Sequence, residues 1–424
     1  MTFDLTLLSD PQVVAINRLD PHSDHRWFAS LQEQRGGRSS YEQSLDGTWK
    51  FHYSRNPLGV PQGFEKLDYD TSTWDDIRVP AHIQMEGYDR NQYVNTQYPW
   101  DGQEELEVPQ VPMRFNPTAC YVKNFSLDRT PEPGERVTIT FNGAESAIAL
   151  WLNGTFVGYA EDSFTPSEFD ITELLVEGEN KLAAEVFKWC SASWLEDQDF
   201  FRFSGIFRDV ILRTYPATHV RDIHVGVDVA DDLASADIKI DADVEGEGSV
   251  VVWLGGQALD VDEDGKFVIT LTDPHLWSAE DPYLYEAQVE VSNDEGVVLE
   301  YIPLKIGVRR FGIEDGLMKI NGERIVFFGV NRHEFGLQGR VMTREETEAD
   351  MVALKQAGLN AIRTSHYPNN SFFYELADQY GFYVIDEMNL ESHGLWDKVR
   401  FGELPVETAT PGDNPIWLPS LFDR

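Results

Sequence analysis

The sequence predicts a multidomain protein of mixed β and α/β class: a jelly-roll β-sandwich, an immunoglobulin-like β-sandwich, and an incomplete (β/α)8 TIM barrel of about three strands. Up to about residue 308 the chain consists of short strands separated by turns rich in Gly and Pro, as in sandwiches and jelly rolls. After that point strand and helix patterns alternate, which predicts a parallel sheet with right-handed crossovers. We expect an N-terminal arm at residues 1–40, followed by domains at 41–216, 217–308 and 309–424.

Alternating apolar and polar residues indicate the strands of the two β domains. Thr48 to Tyr53 alternates with a period of two, as a half-buried strand does. Ala147 to Leu152 is a second strand, and the dipeptide Asn153-Gly154 that follows it is typical of a tight hairpin. The second β domain has roughly 90 residues with strands at similar spacing, which suits an immunoglobulin-like sandwich.

Apolar runs and one capping motif indicate the third unit. Ile325 to Val330 is continuously apolar, as expected of a strand buried on both faces. Thr343 and Glu346 form a capping box, after which apolar residues recur at helical spacing. Two further strands, at 360–363 and 382–385, enclose a second helix. Because a closed barrel needs eight strands and roughly 250 residues, we expect only its N-terminal part in this chain.

The charge of the chain restricts its binding partners, and its cysteine content indicates the cellular compartment. The net charge is -39, from 73 acidic and 34 basic residues, so the surface should repel nucleic acids and anionic membranes. Only Cys120 and Cys190 are present, which is no disulfide framework and suits a reducing compartment. Neither a signal-peptide pattern nor an apolar stretch of about 18 residues occurs, so we expect a cytoplasmic protein.

Polar residues follow each of the three barrel strands. Catalytic groups of parallel α/β folds collect just beyond the carboxyl ends of the strands, which makes these positions the main candidates for chemistry. The three clusters occupy residues 331–334, 363–366 and 387–393.

Glu391 and His393 are a candidate metal-binding pair. They are two residues apart on an extended segment, so their side chains can point the same way. A carboxylate with an imidazole suits a divalent cation. From spacing alone, a hydrogen-bonded loop pair is the favoured alternative.

His333 and His366 end adjacent strands, where each could donate a hydrogen bond to a bound hydroxyl or anion. The alternative is a pair of satisfied histidines at a barrel rim. Glu334 and Glu387 are acidic groups at the same strand ends.

Two segments of the first β domain combine acidic or polar residues with aromatic rings. Residues 194–208 include three acids that could bind a cation and a sugar. Alternatively, they form a rigid interdomain turn in which Arg202 and Arg208 neutralise the acids. Residues 95–102 form a polar and aromatic loop, for which an ordinary Pro/Gly turn is an equally good interpretation.

Taken in order, these motifs closely resemble those of the large β-galactosidases of glycoside hydrolase family 2. The resemblance implies the fold predicted above, and it covers the chain from about residue 10. The matching stretches are 45–51, 95–99, 204–210, 329–334, 363–369 and 386–394.

The resemblance implies cation sites. It assigns Glu391 and His393 as ligands of Mg²⁺ (or Mn²⁺), which reverses the preference drawn from spacing alone. It assigns Asp199 both to galactose and to Na⁺.

The resemblance also implies sugar contacts. His333 and His366 would contact the galactosyl unit and stabilise the transition state. Asn95 matches an asparagine of the galactose subsite, and Asp101 is a weaker candidate in the same loop.

Three departures from the family pattern stand out. Phe335-Gly336 replaces histidines found in many relatives, so contacts at the barrel rim should differ. Relatives commonly have a tryptophan near the position of Ile83, a difference expected to alter packing only. The family's acid/base and nucleophilic glutamates lie in motifs resembling Gly-Asn-Glu-Ser and Cys-Glu-Tyr, and neither motif occurs here. Glu334 and Glu391 are therefore rejected as acid and nucleophile, although retaining glycosidases use two carboxyls about 5 Å apart.

The expected parent activity is retaining hydrolysis of terminal β-D-galactosides such as lactose, in a protein that we expect to be a homo-oligomer. Because the catalytic residues are absent from this chain, we expect little or no activity from the chain alone. Two alternatives are a non-catalytic galactoside-binding module and a complementing subunit of a split β-galactosidase with a C-terminal partner chain.

Overall fold

The structure, a computed structural model, describes residues 3–409 and 411–424. The first unit contains α1 (Leu31–Gly36) and short 3-10 helices at Leu5–Ser9, Pro57–Gly59, Thr172–Leu174 and Ser191–Trp194. Its strands are β1 (Ala15–Ile16), β2 (Glu42–Ser44), β3 (Gly47–Ser54), β4 (Asp75–Val79), β5 (Tyr93–Val94), β6 (Thr118–Phe125), β7 (Arg136–Phe141), β8 (Ala144–Glu145), β9 (Ala147–Leu152), β10 (Thr155–Glu161), β11 (Ser167–Asp170), β12 (Asn180–Phe187), β13 (Glu196–Asp197), β14 (Phe200–Phe201), β15 (Gly205–Ile206) and β16 (Val210–Tyr215).

Two antiparallel sheets enclose the core of this sandwich. Their strand orders are β1-β10-β9-β12-β6-β3-β4 and β11-β7-β16-β2. Buried side chains from both sheets, such as Trp49, Ile139 and Leu150, pack between them. The predicted hairpin is confirmed, since Leu152 pairs with Thr155 and Asn153 has the positive φ of 52° that such a turn needs.

The second unit is a smaller antiparallel sandwich. Its strands are β17 (His219–Val229), β18 (Ser235–Glu245), β19 (Gly248–Leu254), β20 (Gln257–Ala258), β21 (Asp260–Val261), β22 (Phe267–Thr272), β23 (Tyr285–Asn293) and β24 (Val298–Ile306). They form sheets ordered β17-β18-β22-β21 and β20-β19-β23-β24. The N-terminal arm contacts both sandwiches, through a bridge from Arg18 to Phe169 and another from Phe28 to Tyr301.

The third unit begins with antiparallel strands and continues as the parallel start of a barrel. Its elements are β25 (Phe311–Glu314), β26 (Leu317–Ile320), β27 (Glu323–Arg324), β28 (Gly329–Arg332), α2 (Arg344–Gln356), β29 (Ala361–Thr364), α3 (Ser371–Tyr380), β30 (Tyr383–Ile385), β31 (Glu391–Ser392), α4 (His393–Arg400), α5 (Val406–Ala409), a 3-10 helix at Pro415–Trp417 and α6 (Leu418–Asp423). Strands β28, β29 and β30 pair in parallel, in that order. The capping box is confirmed: Glu346 N donates to Thr343 Oγ1 at 3.1 Å, and Thr343 N donates to Glu346 Oε2 at 3.0 Å.

The prediction of a doubly buried strand at Ile325 to Val330 is wrong. The strand β28 starts only at Gly329, and Val326, Phe328 and Val330 are 44%, 62% and 37% exposed. Apolar side chains of a barrel strand are covered by the barrel interior and by the helical layer, and three strands enclose no interior.

The predicted fold class is confirmed, with two β-sandwiches followed by part of a TIM barrel. Cys120 and Cys190 are buried free thiols. None of the helices in the described parts of the chain has the length and apolar character to cross a membrane.

Candidate active site

The parallel strands bring two of the predicted site histidines together. In the sheet register Asn331 lies beside Arg363, and Arg363 lies beside Ile385. His333 directly follows β28 and His366 follows β29. Their ring centroids are 5.3 Å apart at an interplanar angle of 83°.

His333 is held in its neutral form. Burial is the main reason that its pKa falls to about 4, and the neighbouring His366 and Arg340 lower the pKa further, although Asp199 opposes them. The Tyr367 hydroxyl lies 3.5 Å from His333 Nδ1. Near neutral pH the ring therefore acts as an uncharged hydrogen-bonding group.

His366 is oriented by its surroundings. Its Nδ1 lies 3.2 Å from Glu387 Oε2, and Glu387 Oε1 accepts a hydrogen bond from Arg363 Nε at 2.7 Å. On the other side, Gln198 Nε2 donates to the carbonyl oxygen of His366 at 3.3 Å. Glu387 is therefore engaged by an arginine and a histidine.

The jelly-roll sandwich supplies the third predicted contact, Asp199. Asp199 lies between β13 and β14, and Oδ1 of its carboxylate accepts a hydrogen bond from the Tyr93 hydroxyl. Strands β5 and β14 pair, with Tyr93 opposite Phe201. Asn95 comes directly after β5 and is exposed, so it lies near the same edge.

Asp101 has a local structural partner. Its carboxylate Oδ2 accepts a hydrogen bond from the main-chain N–H of Tyr98 at 3.1 Å, closing the turn between them. This is the Pro/Gly turn that the sequence offered as an alternative. The sugar-contact role of Asp101 stays a prediction.

A short parallel bridge between sandwich and barrel presents Glu391 and His393. Strand β31 pairs with β13, and Glu391 N donates to Leu195 O at 2.6 Å. Gly394 N donates to Asp197 Oδ2 at 2.8 Å, which fixes the start of α4. Glu391 Oε1 and His393 Nε2 are 2.8 Å apart, so the two side chains do point the same way.

These two side chains fit part of a divalent cation site. Their carboxylate oxygen and imidazole nitrogen are within hydrogen-bond distance, as the alternative of a hydrogen-bonded loop pair predicts. The carboxylate suits Mg²⁺, and the imidazole nitrogen suits Mn²⁺ better than Mg²⁺. The His393 Nδ1 is buried without a hydrogen-bond partner. Among the residues that the structure describes, no group of three or more His, Cys, Asp or Glu side chains could hold a metal ion. The Mg²⁺ and Na⁺ assignments stay predictions.

Two of the three acids in residues 194–208, Glu196 and Asp197, are satisfied internally. Arg202 Nη2 donates to Asp197 Oδ1 at 2.7 Å, although burial still raises the pKa of Asp197 to about 6. Glu196 Oε1 accepts from Arg424 Nη1 at 3.1 Å. Neutralisation by Arg202 therefore holds for Asp197, but the expected role of Arg208 is wrong, because Arg208 pairs with Glu334 and the arginine at Glu196 is Arg424. Asp199 contacts Tyr93 at the edge of the site.

Glu334 is fully buried. It is 0% exposed and pairs with Arg208 at 2.7 Å. Its second oxygen accepts a hydrogen bond from Asn370 N at 3.0 Å. Its rejection as a catalytic acid is consistent with this burial.

Sequence similarity identifies the family. Models of glycosyl hydrolases family 2 match residues 42–216 (sugar binding domain), 218–309 and 311–424 (TIM barrel domain). The β-galactosidase large subunit of Lactobacillus helveticus is 41% identical over 449 residues, covering 100% of this chain and 71% of that protein. The chain belongs to glycosyl hydrolases family 2.

Other family 2 relatives are considerably longer. The β-galactosidase of Halalkalibacterium halodurans is 45% identical over 436 residues, which are 99% of this chain and 43% of that protein. The chain thus spans less than half the length of such relatives.

Solved structures share the family 2 fold at low sequence identity. An uncultured Clostridium sp. β-glucuronidase superposes with a TM-score of 0.67 at 23% identity, covering 88% of this chain and 65% of that one. This likeness supports the fold alone.

Two residues of the candidate site were missed by sequence reasoning. Tyr93 contacts Asp199, and the buried Arg340 joins the barrel to the sandwich. Tyr93 precedes the polar and aromatic loop at 95–102, which was the one signal that could have pointed to it. Nothing in the local pattern around Arg340 distinguishes it from a surface arginine.

Proposed function

We propose that this chain carries the galactoside-contacting part of a β-galactosidase active site. The observation that carries the proposal is the convergence of Asp199, His333 and His366 where the sandwich meets the carboxyl ends of the barrel strands. β-Galactosidases that are 45% and 46% identical to this chain support galactosides as the substrate class.

Each proposed contact has chemistry suited to a sugar. Asp199 offers carboxylate oxygens to sugar hydroxyls, with Tyr93 holding one of them in place. Neutral His333 can donate one hydrogen bond and accept another. The contact of His366 Nδ1 with Glu387 orients the His366 ring. The exposed Asn95 amide would extend this set.

Cations are part of the proposal. Glu391 and His393 would hold Mg²⁺ or Mn²⁺, and Asp199 would share Na⁺ with the sugar. A bound divalent cation would supply positive charge that stabilises developing negative charge near the reacting bond. The chain's own contribution is to fix the pair through the β13–β31 bridge.

Bond cleavage requires two further carboxyls. In the proposed parent reaction one carboxyl protonates the leaving oxygen and another forms the galactosyl intermediate, which water then hydrolyses. Glu334 is paired with Arg208 and Glu387 with Arg363, so neither is a free acid or nucleophile. We therefore assign both reacting carboxyls to barrel strands beyond those described.

The exposed barrel face supports a covering partner. Val326, Phe328 and Val330 would pack against the remaining barrel, supplied by the same polypeptide or by a complementing chain. Similarity to β-galactosidase large subunits supports the complementing chain. Homo-oligomerisation of the complete enzyme and a cytoplasmic location belong to the same proposal.

The test is nitrophenyl galactoside hydrolysis by the chain alone, and then with the remaining barrel of the Halalkalibacterium halodurans relative added as a separate chain. We expect turnover only in the mixture, and loss of that turnover in Asp199→Asn. Robust turnover by the chain alone would overturn the assignment of the reacting carboxyls. Saturable galactose binding without turnover in either sample would instead support the binding-module alternative.

A further inference from the structure

We infer that Arg340 is a positioning residue, which holds the barrel loop that starts at His333 against the sandwich segment that carries Asp199. The inference rests on the proposed function, because it concerns the same galactoside contacts. It adds a residue that no motif of the site contains.

The side chain of Arg340 crosses the boundary between the two domains. It is 0% exposed, and its Nη2 forms an ion pair with Glu145 Oε2 of β8. Its Nη1 donates to the carbonyl oxygen of Phe201 in β14 at 3.0 Å. The main-chain N–H of Arg340 donates to Nε2 of the buried His82 at 3.1 Å. One barrel residue therefore has three partners in the sandwich.

Aromatic rings surround the guanidinium group and come from both domains. Stacking on ring faces and a planar group that donates to two separate acceptors both favour arginine over lysine at such a site. The ring centroids lie 4.6 Å (Phe200), 5.1 Å (Phe203), 5.4 Å (Phe164), 5.8 Å (Tyr367) and 6.0 Å (Phe207) from the guanidinium carbon.

The partners of Arg340 are next to the proposed sugar contacts. Phe200 and Phe201 directly follow Asp199, so the Arg340 contacts to them restrain the segment that carries Asp199. The loop from His333 is restrained at its start by Glu334 and at its end by Arg340. The ring of Phe335 in this loop stacks on Phe201, at 5.8 Å and 20°.

The spacing of Asp199 and His333 therefore depends on a residue that need not contact the sugar. A displacement of about 1 Å in a binding constellation can change rates by roughly 100-fold. Arg340 also lowers the pKa of His333, after burial and His366, and so helps keep that ring neutral.

The test compares Arg340→Met with Arg340→Lys, Glu145→Gln and the control Arg136→Met. Arg136 lies over the Tyr215 ring at 5.2 Å and pairs with Glu245 at 3.5 Å across the other domain boundary. It is therefore a control for the loss of a boundary arginine outside the proposed site, although its side chain is 26% exposed and that of Arg340 is 0% exposed. Hydrogen exchange measures local opening of the two segments, residues 196–201 and 333–341. NMR titration with galactose measures the binding affinity.

We expect Arg340→Met to speed exchange at both 196–201 and 333–341 and to weaken galactose binding about tenfold. Arg340→Lys should recover part of both effects, and Arg136→Met should show neither. Faster exchange confined to 333–341, or galactose affinity equal to that of the unmodified chain, would overturn the inference.

Two outcomes separate this inference from the proposed function. If the unmodified chain binds no galactose, the proposed function fails, while exchange at the two loops still decides whether Arg340 couples them. If Arg340→Met does not fold, the inference is tested with Arg340→Lys and Glu145→Gln. We expect faster exchange at both 196–201 and 333–341 in these two variants.

Discussion

Glu334 of the barrel and Arg208 of the sandwich form an ion pair buried at the domain boundary, with 2.7 Å between Oε2 and Nη2. Their side chains are 0% and 3% exposed. Arg208 also donates to the carbonyl oxygen of Pro368 at 2.8 Å, and Glu334 accepts from Asn370 N at 3.0 Å. A carboxylate at a position typical of catalysis is therefore part of the domain interface.

Removing Glu334 should destabilise the barrel–sandwich interface. Glu334→Leu leaves the Arg208 charge buried without its partner, which typically costs about 3–5 kcal/mol. The double variant Arg208→Met with Glu334→Leu should recover most of that loss, because no unpaired charge remains. The coupling energy is measured by urea unfolding of the unmodified chain, the two single variants Glu334→Leu and Arg208→Met, and the double variant. Single and double variants of equal stability would contradict the prediction.

Local sequence signals predicted the elements whose partners are near in sequence. The Asn153-Gly154 hairpin and the Thr343 capping box depend on neighbours two or three residues away, and both are confirmed. The burial of Val326 and Phe328 depends on other strands and helices, which no local pattern specifies. That is why the predicted doubly buried strand was wrong.

The sequence predicted those residues of the candidate site that come directly after barrel strands. His333 and His366 were located because catalytic groups gather at the carboxyl ends of parallel strands. The partner of Asp199 is 106 residues away in sequence, and that of Glu334 is 126 residues away. Such pairings arise from domain packing and leave no periodic signal.

Salt should stabilise the second sandwich, because like charges lie opposite each other on its paired strands β17 and β18. Asp228 lies directly opposite Asp237, and Asp222 opposite Asp243, in a chain with a net charge of -39. Directly opposed like charges destabilise a sheet, and the Debye length falls from about 10 Å at 0.1 M salt to about 3 Å at 1 M. We expect Tm to rise between these KCl concentrations.

A single aspartate variant tests the cause of that salt dependence. Asp228→Asn should raise Tm by about 1–3 °C at 0.1 M KCl and much less at 1 M. Asp294→Asn removes an equal charge from an exposed turn residue and serves as the control. Equal effects of the two substitutions at low salt would attribute the salt dependence to net charge rather than to the opposed pairs.

The buried carboxyl of Glu300 should make the second sandwich less stable as pH rises. Burial raises the pKa of Glu300 to about 8, even though Val220 N donates to its Oε2 at 2.8 Å. Since the folded pKa lies above the unfolded value of about 4.3, the stabilisation present below that value is lost between about pH 4.3 and pH 8.

Glu300→Gln should remove that loss. Glutamine cannot ionise and keeps an oxygen for Val220 N, so the variant should match the unmodified chain near pH 5 and exceed it at pH 9 by a few kcal/mol, to order of magnitude. Urea unfolding at the two pH values measures the difference, with Glu286→Gln on the exposed side of β23 as the control. An unchanged difference between pH 5 and pH 9 would show that Glu300 does not titrate in this range.

Proteases should cleave the chain preferentially after about residue 310. Val326 and Phe328 are 44% and 62% exposed, and the outer edges of β28 and β30 have no neighbouring strand among the described residues. Few buried contacts and free strand edges favour local opening, which is the state that proteases cut. Limited digestion with mass mapping should place the first cuts in the barrel part, and adding the complementary barrel chain should suppress them. First cuts spread evenly through 41–308 would mean that the three parallel strands are already as stable as the sandwiches.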